Sequence, residues 1–417
     1  MKNFAICLIV SVLLILTGCT PAVRTQAERD NAFRLQDISA EDLLTISKAI
    51  EQRFERHNLL FNDDDLQKYL EEVLDRLITP QEKKRYNLNV RILRSPVINA
   101  FGYPHGTIFI TVALLTKLNS EAQLAAALSH EIIHIVNRHA EKNLENIKER
   151  SRREMRLHPD IASLLGEEAA FISSDGAGVA LNIVMRGYSR ELEREADSLG
   201  VLRMAEGGYP HAEFLSLLLL LRDHVIAENI AEQSFCNSHP RITERIRNYH
   251  RTVKDNSDHG KFSYTPSCPY DSISKDNKDE KNDDKNSEIF RERIKKAIYE
   301  NVRVNISAGR YDLAEDQIEK FLAADGCDTE ALTLKGDFER SLAPRSTQFF
   351  IWYKRALECD SSNIAALRAI GFGYYSMGNC QKAHKYLSIY NEIAQTAADI
   401  GTARLMLRKC EERITER

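Results

Sequence analysis

"LSHEIIHIVNRHA", residues Leu128 to Ala140, holds three histidines in a run apolar enough to lie inside a protein. On an α-helix each residue turns by ~100°, so His130 and His134 differ by only ~40° and face the same way. Two such imidazoles can each place a nitrogen about 2.0–2.1 Å from one zinc ion. Glu131 lies on the adjacent face, within reach of a water held at the same ion. His130-Glu131-Ile132-Ile133-His134 is thus the His-Glu-x-x-His pattern of zinc hydrolases. The alternative is a buried helix whose histidines are satisfied by protein partners, since polar groups in a core need partners. The periodicity predicts one helix from about Ser120 to Asn143, with Ser120 as N-cap and Glu121 in the first turn. In such a helix His139 is ~140° from His134 and ~180° from His130, which reads as a surface or helix-end histidine.

Two imidazoles do not complete a zinc site. Position 140 is Ala and 137 is Asn, so a third ligand must come from another helix. "YSRELEREADSLG" (188–200) offers Glu193 and Asp197 at i, i+4, with small Ala196 and Gly200 to let a second helix approach. One carboxylate can ligate while the other accepts the N–H of a ligating histidine and fixes its tautomer. By spacing alone, Glu191, Glu193, Glu195 and Asp197 would equally suit a charged solvent face.

Working outward, helical patterns cover Leu43 to Phe54, Asp64 to Ile78, Ser189 to Ala205, Pro210 to Ala227 and Pro240 to Tyr249. "LNVRIL" (88–93) and "GTIFIT" (106–111) read as strands, with a turn at Pro104-His105-Gly106. "GTIFIT" is the candidate edge strand for an extended substrate. A poorly patterned stretch spans about 150–180.

The chain has 417 residues with 57 basic and 61 acidic side chains, and a formal net charge of −4, which gives no footprint for nucleic acid. Phe4 to Leu16 is apolar except for Ser11 and is too short to span a bilayer, so residues 1–18 read as a signal peptide. Leu16-Thr17-Gly18-Cys19 resembles a bacterial lipoprotein cleavage site, which implies a lipid on Cys19. Thr20 after it resembles an outer-membrane address. Residues 19–37 form a polar tether.

Ser274 to Glu288 contains no apolar residue and reads as solvated linker, within a linker spanning 256–288. This divides a domain at 38–255 from one at 289–417. In the latter, "AGRYDLAEDQIEKFL" (308–322) aligns with "MGNCQKAHKYLSIYN" (377–391), matching Gly309 to Gly378, Ala314 to Ala383 and Ile318 to Leu387. The offset is about twice the 34-residue tetratricopeptide period. Phe349, Tyr353 and Ala356 would hold a middle repeat, and a generic helical-hairpin array is the alternative. In this register Cys327 lies near Cys359 and Cys380 near Cys410, at adjacent ends of antiparallel helices. That leaves Cys236 with Cys268.

These motifs together resemble the gluzincin peptidases related to HtpX and the CAAX prenyl protease. The likeness is to their exported, BepA-like branch with C-terminal tetratricopeptide repeats. The resemblance rests on "NAFGYPHGTIFIT", the His-Glu-x-x-His, "YSRELEREAD", "EGGYP" and "SHPRITERI". It implies a mainly α fold with a small β-sheet: an α+β zinc peptidase domain followed by a helical, tetratricopeptide-like solenoid. It implies one Zn2+ per chain on His130, His134 and Glu193, with Glu131 as general base and Asp197 behind a ligand. His239 matches a histidine that can take the zinc's open position and hold a latent state; otherwise it simply precedes a helix begun by Pro240. Arg245 matches an arginine that orients substrate or stabilises an oxyanion, unless it is a surface arginine. The family often has Gly-Gly where this chain has His105-Gly106, which leaves the shape of that turn open.

The implied activity is a cell-envelope zinc endopeptidase acting on unfolded or stalled exported and outer-membrane proteins. The repeats would dock outer-membrane assembly machinery, and Cys19 would tether the chain in the periplasm, at the outer membrane. The alternative is a periplasmic chaperone or assembly scaffold with little proteolysis.

Overall fold

The computed structural model describes residues 38–157, 188–227, 242–257 and 280–415. Expectations for residues 1–37, Cys236, His239 and Cys268 lie outside them. The amino-terminal part runs α1 (Ala40–Arg56), β1 (Leu60–Phe61), α2 (Asp64–Leu77), α3 (Pro80–Tyr86), β2 (Asn89–Leu93), β3 (Ala100–Gly102), β4 (Thr107–Thr111), α4 (Val112–Lys117), α5 (Glu121–Val136) and α6 (His139–Leu157). It continues through α7 (Arg190–Glu206), α8 (Ala212–Ala227) and α9 (Ile242–Ser257). The carboxy-terminal part is helical throughout: α10 (Glu280–Arg293), α11 (Lys295–Ser307), α12 (Tyr311–Ala324), α13 (Thr329–Leu342), α14 (Phe350–Cys359), α15 (Ile364–Ser376), α16 (Cys380–Ile393) and α17 (Ile400–Thr415). None of the described helices is long and apolar enough to cross a membrane.

The four strands form one mixed sheet in the order β1-β2-β4-β3. β2 and β4 are parallel, and β1 and β3 flank them antiparallel. β4 is therefore interior and every one of its residues is buried. This corrects the expectation that "GTIFIT" lies at an edge. A β-branched run looks alike at an edge or in the middle, and what covers its second side is a tertiary matter. The edge is β3. Tyr103 donates to Thr107 O at 2.9 Å, and Thr111 donates to Asn99 O at 3.0 Å. In that antiparallel register residues 99, 101 and 103 bond to β4, while Ala100 and Gly102 aim their amides and carbonyls outward.

The turn between β3 and β4 needs glycine. Gly106 has φ +108, and a Cβ there would meet Tyr86 O and Asn87 O far inside contact distance. His105 is buried, its Nδ1 2.8 Å from Ser47 Oγ and its Nε2 2.6 Å from Glu51 Oε2, which ties the turn to α1.

One sheet face packs against α2, α4 and α5 around Val90, Ile92, Ile108 and Ile110, with α7 and α8 behind α5 in the same core. The other carries Phe101, Tyr103 and Phe109 beneath α1, with Leu144 and Tyr188 in the same cluster. Phe290, Ile294 and Ala297, from α10 and α11, belong to the first core. Glu300 of α11 also accepts from Arg94 at 2.6 Å. The helices that follow the boundary expected at 288/289 thus pack on the amino-terminal core from Phe290 onward. The polar run ending at Glu288 leads straight into an apolar stripe at 290, 294 and 297, and its last residues are helical rather than linker.

A second difference lies at the opening motif. The helix expected from Ser120 to Asn143 breaks after Val136. Arg138 takes φ +54, and α6 starts anew at His139. Ser120 caps α5 as expected, accepting from Gln123 N–H.

Among the C-terminal helices, the two aligned segments occupy equivalent places. Gly309 and Gly378 both end a helix with positive φ (+73 and +76), and Ala314, Ala383, Ile318 and Leu387 are all fully buried. Cys327 and Cys359 form a disulfide with Cα atoms 5.7 Å apart. Cys380 and Cys410 are instead buried free thiols. Burial, with a hydrogen bond donated to Cys380, pushes the Cys410 thiol up to about 12.

Candidate metal centre

α5 and α7 pack face to face because the residues between them are small or apolar. Ala196 is fully buried, and a Cβ on Gly200 would lie 3.4 Å from the Cα and N of His130 and 3.3 Å from the Phe214 ring. Ser189 caps α7 by accepting from Leu192 N–H, and α9 braces it through Asn248, which donates to Arg194 O at 3.1 Å. This close approach brings Glu193 onto the imidazoles. His130 Nε2 and His134 Nε2 are 3.0 Å apart, and Glu193 oxygens lie 3.5 and 3.4 Å from them. All three residues are at most 3% exposed.

These residues fit a zinc ion. Ligand atoms 2.0–2.1 Å from a tetrahedral metal are about 3.3–3.4 Å from one another, close to the three separations in this cluster. The ligand atoms of His130, His134 and Glu193 all lie within 4.8 Å of one another. The spot also favours positive charge. Burial and Arg245 oppose protonation of His130, yet its hydrogen bonds to Asp197 and Glu193 outweigh them and push it up to about 9. Three protein ligands leave a fourth position for water and substrate, as a hydrolytic zinc site requires.

The surrounding groups orient the ligands. Asp197 Oδ1 is 3.1 Å from His130 Nδ1, the nitrogen turned away from Glu193. Arg245, 7% exposed, donates to Asp197 Oδ1 at 2.8 Å from Nη2 and at 3.0 Å from Nε. Its guanidinium therefore holds Asp197 from behind the ligand. Arg245 is thus no surface arginine, and its Nη2 also lies 3.2 Å from His130 Nδ1 and 3.5 Å from its Nε2. Glu131, 3% exposed, accepts from the outward amide of Gly102 on β3 at 2.9 Å. The general-base candidate is thus tied to the sheet edge. A cavity of about 450 Å3 opens beside it, lined in part by Tyr86, Gly102, His105, His134 and Tyr188.

Two residues of the site carried no role in the sequence reading. Tyr188 stacks on His134 with centroids 3.9 Å apart and planes at 16°. Burial, with the charges of Glu131 and Glu193, drives its phenol well above the ordinary range. His139 is fully buried, with its Nδ1 2.9 Å from His134 Nδ1. Burial, against the opposing charge of Glu195, pushes it down to about 4 and keeps it neutral. Tyr188 starts the quoted acidic segment but carries no periodic signal. His139 was masked by the assumption of one unbroken helix.

A buried His-Glu-x-x-His helix completed by a glutamate from a second helix is the donor set of a gluzincin-type metallopeptidase. Comparison with known proteins agrees. Residues 61–253 match the model of peptidase family M48, and the three residues able to hold the metal lie within the matched stretch. A Vibrio cholerae protein provisionally named beta-barrel assembly-enhancing protease is 29% identical over 213 residues, 47% of this chain and 42% of that protein. The Schizosaccharomyces pombe mitochondrial metalloendopeptidase OMA1 is 27% identical over 180 residues, 43% of this chain and 50% of its own length. The Escherichia coli K12 beta-barrel assembly-enhancing protease is 25% identical over 165 residues, 38% and 34% of the two chains. The chain thus spans half or less of the length of these curated relatives.

Proposed function

We propose that this chain is a zinc-dependent endopeptidase of the cell envelope that cleaves unfolded or misassembled exported and outer-membrane proteins. The observation that carries this reading is the convergence of His130, His134 and Glu193 from two helices with Glu131 beside them. Zinc, when bound, supplies Lewis acidity that brings the pKa of a water toward about 7 and polarises the scissile carbonyl. Glu131 takes the proton and passes it to the leaving amine. Asp197, held by Arg245, fixes His130. The outward groups of Ala100 and the outward carbonyl of Gly102 on β3, whose amide is held by Glu131, pair with an extended substrate, a mode that reads backbone more than sequence and suits unfolded clients. The adjoining cavity receives a side chain of that substrate.

The helical array from α11 onward serves as a tetratricopeptide-like docking surface for partners. The names of the bacterial relatives support outer-membrane barrel assembly as the setting. Lipidation at Cys19 anchors the chain in the periplasm, at the outer membrane, and His239 on the zinc's fourth position holds a latent state.

The test compares wild type, Glu131→Gln and His239→Ala on an unfolded protein substrate, with bound zinc measured in each. Glu131→Gln is expected to keep its zinc and lose at least about 10²-fold in rate. His239→Ala is expected to cleave faster. Equal cleavage by Glu131→Gln and wild type contradicts the assignment of the base. Cellular function that survives in Glu131→Gln after proteolysis is lost favours the scaffold alternative.

A further inference from the structure

We infer that His139 is a positioning residue of the metal site, accepting a hydrogen bond from His134 and thereby fixing that ligand's tautomer and ring plane. The inference rests on the metal-site reading above and extends it to a residue that reading leaves idle.

The chain geometry is built for this contact. α5 ends at Asn137, Arg138 takes the left-handed conformation, and α6 begins at His139. That corner folds the His139 ring back against His134, edge to face, with centroids 4.9 Å apart and planes at 82°. The face of His134 is covered by the Tyr188 ring. His134 is thus held by a stack on its face and a hydrogen bond at its edge.

The proton positions follow from which nitrogen is used for what. His134 Nε2 faces His130 Nε2 and Glu193, so it must offer a lone pair to a metal. A neutral imidazole then carries its proton on Nδ1. His139 Nδ1 lies 2.9 Å from it and must accept, which puts the His139 proton on Nε2. That Nε2 is buried with no hydrogen-bond partner, and Glu195 Oε2 stands 3.5 Å away as a nearby negative charge. Glu195 is in turn held by Asn137, whose Nδ2 donates to it at 2.6 Å, and by Lys142 at 3.6 Å. The two zinc imidazoles therefore have unlike supports: a carboxylate behind His130 and a neutral imidazole behind His134. A second carboxylate in direct contact would add negative charge to a pocket that already holds Glu131, Glu193 and Asp197.

The experiment measures zinc affinity of the full chain by competition with a fluorescent chelator, for wild type, His139→Leu and His139→Gln, with thermal melts of each metal-free protein. Loss of an outer hydrogen-bond partner typically weakens metal binding 10–100-fold, so His139→Leu should fall by about that much. His139→Gln keeps a carbonyl acceptor and should recover most of the affinity. Wild-type affinity in His139→Leu overturns the inference. Equal losses in Leu and Gln variants with lowered metal-free melting temperatures reduce His139 to a packing residue and also overturn it. Ring-nitrogen NMR of the wild type needs no variant: a His139 protonated on Nε2 is expected, and one protonated on Nδ1 contradicts the assignment. If the wild type binds no zinc, the metal-site reading itself fails, a result distinct from failure of the His139 variants alone.

Discussion

Asp197 and Arg245 are both nearly sequestered from water, so each depends on the other. Removing one partner of a buried pair strands the remaining charge, at a cost of about 3–5 kcal/mol. Arg245→Leu is accordingly expected to lower unfolding stability by about that amount in urea titrations and to weaken zinc binding, because Asp197 then loses its fixed position behind His130. A variant as stable and as metal-avid as wild type would leave Arg245 with no part in holding Asp197. At this scale the sequence was most informative where a ligand pair obeys helical periodicity. His130, Glu131 and His134 were legible because i and i+4 share a face. Glu193 needed the further demand for a third ligand, since its spacing alone suits a solvent-facing helix. His139 was not legible. Its angular position follows from a continuous helix, and a single left-handed residue, Arg138, moves it onto the back of His134.

At the scale of elements, the site depends on how closely α7 approaches α5. Gly200 lies where a β-carbon already touches the His130 backbone and the Phe214 ring. Alanine there should cost little, because the neighbours must give only a few tenths of an ångström and its helix propensity exceeds glycine's by about 1 kcal/mol. Valine overpacks the contact. It is expected to destabilise by about 1–3 kcal/mol and to push Glu193 away from the imidazoles, read as reduced zinc affinity. Valine with unchanged affinity would show that the helix spacing is not what sets the ligand geometry. The small residues of α7 were readable in the sequence because a close helix approach needs them. The place of β4 was not: its apolar run is fully buried by the addition of β3, and strand order depends on pairings that local pattern does not encode.

Across the whole molecule, the zinc-binding part and the helical array share a core. Phe290 and Ile294 pack among residues of the amino-terminal helices, and Glu300 is bonded to Arg94. Phe290→Ala is therefore expected to cost about 3–5 kcal/mol and to lower the temperature at which zinc is released on heating. Unchanged zinc release would mean that the two parts unfold independently. The Cys327–Cys359 bridge closes a loop with a separation of 32 residues, and the chain-entropy model gives it about 3–4 kcal/mol. Reduction should selectively loosen α13 and α14, seen as faster amide exchange there. The helical character of this half was visible from its periodicity and aligned glycines. Its union with the first half was hidden by the charged run before Ile289, whose composition reads as a spacer although an apolar stripe follows at once.

The most direct test of the central claim is X-ray absorption at the zinc edge of the purified full chain, together with Glu193→Ala. One zinc per chain is expected, bound by two imidazole nitrogens and oxygen donors, with most of the metal lost in the variant. A wild-type protein without zinc, or a Glu193→Ala variant that keeps its metal in the same environment, would contradict the account.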